Sequence, residues 1–117
     1  MSKIFSYDKV NDILAIHKGF AIEEKFKGNI DVGDLILDVS TAGKIKGVEI
    51  MNATSFLKPF IGKEIKEDVL AGMIDANFTA VVKPNGIIIS LAIKSKNIKN
   101  EVPATIAVPL EKPILSI

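Results

Sequence analysis

Between Asp34 and Leu57 the chain reads DLILDVSTAGKIKGVEIMNATSFL, a β-hairpin whose second strand runs into a short helix. Thr41-Ala42-Gly43 fits a three-residue loop, a type I turn followed by a left-handed glycine, because only glycine enters that region without steric cost. That loop sets a register in which Ser40 pairs with Lys44, Asp38 lies opposite Lys46, and Ile36 lies opposite Val48 and shares its face with Ile50. Leu35, Leu37, Val39, Ile45 and Met51 take the other face, with Gly47 and Glu49 among them. Both faces are then largely apolar. A half-solvated antiparallel sheet alternates cleanly, so this pattern predicts cover on both sides.

Other hairpin and helix signals flank this stretch. KIFSYDKVNDILAIHK (3–18) reads as a first hairpin with DKVND as its turn, pairing Tyr7 with Ile13, Phe5 with Ala15 and Lys3 with His17. Residues 20–32 read as a strand bent near Gly28-Asn29. Ala53–Leu57 makes a short turn or helix, Pro59 either ends it or starts the next element, and Ile61, Ile65, Val69 and Met73 recur at the spacing of an amphipathic helix that stops at Gly72. Pro84-Asn85-Gly86 is a second hairpin loop with a predicted left-handed glycine. VPATIAVP follows as an edge strand, because Pro103 and Pro109 cannot donate to a ladder. The apolar tail LEKPILSI is expected to dock on this chain or on another. The fold class expected is α+β, mostly antiparallel β with about eight strands, and one or two helices inserted at residues 53–73. All 117 residues form one expected domain, a β half over 3–57 and a helix-plus-three-strand half over 58–117.

Composition narrows the function classes. There are no cysteines, which excludes disulfides, thiolate metal sites and cysteine nucleophiles. The net charge is +1 and every basic residue is lysine, which argues against nucleic-acid binding, since arginine is the usual reader of bases and phosphates. Six phenylalanines and one tyrosine give no stacking platform for single strands. No apolar run approaches the roughly 20 residues of a membrane span, and the charged N-terminus lacks a signal-peptide core, so a cytoplasmic location is expected. Ile and Lys are abundant while Gln and Trp are absent, a bias that fits an AT-rich genome or a hot habitat.

Tyr7-Asp8, Asp12-Ile13-Leu14, Gly33-Asp34-Leu35-Ile36-Leu37-Asp38, Gly43-Lys44-Ile45 and Gly47-Val48-Glu49-Ile50 form an ordered series. Over about residues 3–57 that series resembles domain-of-unknown-function family 2283, short β-rich prokaryotic proteins. The resemblance implies a β-rich fold and no assigned activity. It makes an antitoxin-like regulatory partner conceivable, because some members are thought to be encoded beside putative toxin genes. The chain departs from the pattern at Ala15-Ile16-His17, at Val39-Ser40-Thr41-Ala42 and at Met51-Asn52-Ala53, and it carries some sixty further residues.

Three residues are candidates for chemistry. Glu49, in the register above, points into an apolar face, where its carboxyl could serve as a general acid or base. A one-residue slip or bulge instead sends it to the other face. Asp38 and His17 are its candidate partners. His17 is the only histidine and reads first as a solvent-facing strand end. Asp8, Asp12, Asp31 and Asp34 cluster at turns, where aspartate is common, and their spacing matches no calcium loop. No P-loop, GxGxxG, GxSxG or HExxH occurs, and neither a metal nor a cofactor is expected.

Two function classes remain. The first is a non-enzymatic module that binds a protein partner or a second copy of itself, with no nucleic acid and no membrane. The second is a small hydrolase or isomerase using Glu49 with Asp38 or His17.

Overall fold

The computed structural model describes residues 4–62 and 65–111. Five strands, β1 (Ile4–Asp8), β2 (Ile13–His17), β3 (Phe26–Val32), β4 (Leu35–Ser40) and β5 (Ile45–Ile50), form an antiparallel sheet in the order β1-β2-β5-β4-β3. Two helices follow, α1 (Ala53–Ile61) and α2 (Glu67–Ala71). A second antiparallel sheet, β6-β7-β8, is built from Met73–Lys83, Gly86–Ser95 and Val102–Pro109. The expected α+β class with eight mostly antiparallel strands is the observed one.

The core is made by alternation. In β8 every second residue is buried (Val102, Ala104, Ile106, Val108), and Ile87, Ile89, Leu91 and Ile93 do the same in β7. Leu14, Ile16, Leu35, Leu37, Val39, Val48 and Ile50 line the inner face of the five-stranded sheet. These side chains share one hydrophobic cluster with Leu57 of α1 and Leu70 of α2. Removing this apolar area from water is the main favourable contribution to folding.

The central hairpin has the predicted loop and a different register. Ser40 N–H donates to the Lys44 carbonyl and Gly43 N–H to the Ser40 carbonyl, both at 2.9 Å, and Gly43 has φ +74. A β-bulge then intervenes: Val39 pairs with Ile45, but Asp38 pairs with Gly47 and Ile36 with Glu49. Lys46 is the extra residue, so every residue beyond it on β5 changes face. Val48 turns inward and Glu49 outward, which corrects the expectation that Glu49 shares a face with Leu35 and Leu37. It also corrects the expected double cover. Leu35, Leu37 and Val39 are buried, whereas Ile36 and Asp38 remain partly exposed on the open face.

The first hairpin is likewise one step out of the predicted register. Tyr7 pairs with Leu14 and Ile4 with His17, because the turn spans Lys9–Asp12 and Asp12 takes a left-handed φ of 55. At the β6–β7 connection Lys83 pairs with Gly86, leaving a two-residue turn, Pro84-Asn85. Gly86 therefore does not need a positive φ. It is required by closeness, since a Cβ there would meet the Val108 carbonyl oxygen at 2.9 Å. Pro59 lies inside α1 rather than ending it; the helix stops at Gly62, φ +81, whose N–H returns to the Lys58 carbonyl. Gly72 follows α2, and Met73 already belongs to β6. The bend expected near Gly28 is a bulge in β3 between Phe26 and Gly28. Residues 112–117, most of the apolar tail, lie outside the described residues.

Candidate functional site

The bulge at Lys46 brings the three sequence candidates together on the open face. Reading across the five strands, one row holds Ile4, His17, Gly47, Asp38 and Asn29, and the next holds Ser6, Ala15, Glu49, Ile36 and Asp31. His17, Asp38 and Glu49 line a shallow cavity of about 200 Å³ together with Ile4, Ser6 and Ala15. Gly47 is its floor. A Cβ on Gly47 would stand 2.5 Å from Asp38 Oδ2 and 2.9 Å from His17 Cδ2, so both side chains close over the space that the missing side chain leaves. A glycine inside a strand signals a bulge or a close approach, and Gly47 does both.

The groups are gathered without being coupled. His17 Nδ1 accepts the Gly19 N–H at 2.7 Å, and the Phe20 ring packs edge-on against the imidazole with 5.1 Å between centroids. Using Nδ1 as an acceptor leaves the proton of the neutral ring on Nε2. No hydrogen bond joins His17, Asp38 and Glu49 to one another among the described residues. The arrangement therefore lacks the base–orienter contact that a proton relay is built on. Among the described residues no three His, Asp or Glu side chains gather as a metal ion would need.

Of the four aspartates, Asp12, Asp8 and Asp34 make structural hydrogen bonds, while Asp31 lies within β3. Asp12 reaches α1: its carboxylate accepts the Tyr7 hydroxyl at 2.6 Å, the Thr54 hydroxyl at 2.7 Å and the Thr54 N–H at 3.3 Å, and its carbonyl accepts the Ala53 N–H at 2.9 Å. Asn52 makes no side-chain cap of its own, so the helix N-terminus is capped from a distant turn. Burial first, and then the hydrogen bond to Asp12, push the Tyr7 phenol above its ordinary value. The Asn11 side-chain amide, and then its backbone N–H, hold the Asp8 carboxyl below the usual range. Asp34 accepts the Asn52 amide at 3.2 Å.

Sequence reasoning missed Glu24. Its carboxylate accepts the Ser40 hydroxyl at 2.6 Å and the Ala21 N–H at 2.9 Å, and it pairs with Lys46 at 3.0 Å. These bonds tie the 19–25 loop onto the bulged hairpin, and nothing in FAIEEKF distinguishes Glu24 from Glu23 beforehand. The Ser40 hydroxyl first, then the Ala21 N–H and Lys46, lower the Glu24 carboxyl from its usual 4.5 to about 2. A carboxyl depressed on folding stabilises above its unfolded value and loses that contribution as pH falls towards its folded one. Glu24 thus contributes a decline in stability between about pH 4.5 and pH 2. Glu24→Gln is expected to flatten that part of the acid limb in urea-midpoint measurements across this range, and an unchanged slope would refute the assignment.

Residues 4–53 match the sequence profile of a family described as "Protein of unknown function (DUF2283)". The resemblance read over residues 3–57 is therefore a family match. It covers the five-stranded sheet and ends at the first residue of α1, leaving β6, β7 and β8 outside it. No curated protein and no solved structure matches the chain significantly.

Proposed function

We propose that the protein is a non-catalytic cytoplasmic module that works by binding another protein chain. The observation that carries this reading is the outer face of the second sheet. Val81 and Ile88 are cross-strand neighbours there, 52 % and 36 % exposed. Around them stand Thr79, Ser90, Ala92, Thr105 and Ala107, and the charged residues Asp75, Lys83 and Lys94 lie only at the ends of the strands. A solvated sheet face normally interleaves charged side chains, whereas a flat uncharged one suits another protein surface. No helix of the described residues is long and apolar enough to cross a membrane.

The test is the solution mass over a dilution series together with co-purification from the native host. A mass above 12.6 kDa that falls on dilution, or a stoichiometric partner, supports the reading. A monomer at all concentrations with no partner contradicts it. An antitoxin-like regulatory role is one form such binding takes, and the identity of a co-purified chain distinguishes it.

A second reading, a small hydrolase or isomerase, draws support from the shared cavity of His17, Asp38 and Glu49. It requires a substrate to bridge groups that do not touch one another. Glu49→Gln with no change in any detected turnover or ligand affinity would count against it.

A further inference from the structure

Ile61, Ile65 and Val69 recur at every fourth position, the pattern of one face of a continuous amphipathic helix. The structure divides that face. α1 ends at Ile61, where Gly62 takes a left-handed φ of +81, and α2 begins only at Glu67. The three side chains wall a cavity of about 620 Å³, within the ~300–1,000 Å³ of small-molecule sites. Ile98, Val102 and Pro103, from the β7–β8 connection and the start of β8, supply the rest of the apolar lining. Ile65 and Val102 are only 5 % and 6 % exposed, so part of that lining is deep.

Polar residues enter the lining at one stretch, Lys99-Asn100-Glu101, and all three are exposed. Among the described residues, no hydrogen bond or ion pair engages the Lys99 ammonium, the Asn100 amide or the Glu101 carboxylate. The backbone N–H groups of Lys99 and Asn100 likewise meet no acceptor there. An aliphatic cavity whose polar groups gather at one side suits an amphiphile, with walls for a chain and donors for a head. No aromatic ring stands among the described lining residues, so a flat ring ligand finds no stacking partner.

We propose that this cavity binds a single-chain aliphatic carboxylate, its chain between the isoleucine and valine walls and its head at Lys99 and Asn100. Charge selects the head. The Lys99 ammonium and the neighbouring N–H donors favour an anion, and a hydrogen bond to an ionised partner is stronger than a neutral one. Glu101 at the same stretch leaves one cation beside one anion. That balance admits a carboxylate and disfavours a phosphate head, which carries up to about two negative charges. The cavity residues are not those of the uncharged face of the second sheet. Ligand uptake therefore goes beyond the protein-binding reading and is tested apart from it.

The test is calorimetric titration of the full chain with hexanoate, octanoate, decanoate and dodecanoate, each below its micelle-forming concentration. Affinity is expected to rise about fourfold per added methylene until the cavity is full. Val69→Trp puts an indole into the cavity and should weaken decanoate at least about tenfold. Lys99→Ala should weaken octanoate about threefold and leave octanol unchanged, because only the carboxylate uses the charge. Glu101→Gln should tighten octanoate and narrow its lead over octyl phosphate. These last two positions are exposed, so they keep the test decisive if Val69→Trp does not fold. A folded full chain that binds none of the four acids overturns the inference. So does binding that ignores chain length, or that a folded Val69→Trp leaves unchanged. A co-purifying chain that is lost in Val69→Trp, with no acid bound by the parent, gives the cavity to a protein partner instead.

Discussion

Asp12→Ala is expected to lower the unfolding free energy by about 3 kcal/mol, a large part of the 5–15 kcal/mol typical of a domain this size. The carboxylate satisfies three donors on two other elements: the Tyr7 hydroxyl, the Thr54 hydroxyl and the Thr54 N–H. Truncation leaves all three in a partly buried setting and removes the only side-chain cap seen at the α1 N-terminus. The left-handed φ of 55 adds to the effect, because alanine tolerates that region less well than aspartate. Asp12→Asn, which keeps an acceptor and the conformational tolerance, should lose roughly half as much. Urea melts of the three proteins decide this. Equal stability of Asp12→Ala and the parent would show that the Tyr7–Asp12–Thr54 bridge carries nothing.

Phe78→Ala is expected to lose about 4 kcal/mol. Phe78 is 1 % exposed and lies on the inner face of β6, where it pairs across the strands with Leu91. Its ring also receives the Lys18 ammonium at 4.4 Å from the centroid, which connects the end of β2 to the second sheet. The loss therefore combines a cavity between the sheets with a broken cation–π contact. Ile88→Ala, on the outer face of β7 and 36 % exposed, is the matched control and should cost less than about 1 kcal/mol. Urea melts that put Ile88→Ala level with Phe78→Ala would contradict the assignment of inner and outer faces.

Much of the fold was legible because turn chemistry is local. Gly43 takes the left-handed conformation that its loop demands, and Pro103 and Pro109 mark an edge strand. Register was less legible, because it depends on where one unpaired residue goes. The predicted pairing of Asp38 with Lys46 follows from the loop only if the ladder continues unbroken; the bulge at Lys46 breaks it, and Glu24 then takes Lys46 as its partner.

That single residue settles the candidate site. His17, Asp38 and Glu49 were named from the sequence, yet they meet on the open face of the sheet, not in the apolar one where Glu49 was expected. Gly47 carried the signal. It stands immediately after the bulged lysine, and the two side chains that fold over it need the room. Glu24 and the distant cap by Asp12 were not legible, because their partners lie 16 and 42 residues away in sequence.

The family match ends where the five-stranded sheet ends, and the uncharged face assigned to partner binding belongs to the segment beyond it. Protein binding rests on that face, and the decisive measurement is the solution mass over a dilution series together with co-purification from the native host. A mass above 12.6 kDa that falls on dilution, or a stoichiometric partner chain, is expected. A monomer at every concentration with no co-purifying chain would contradict it.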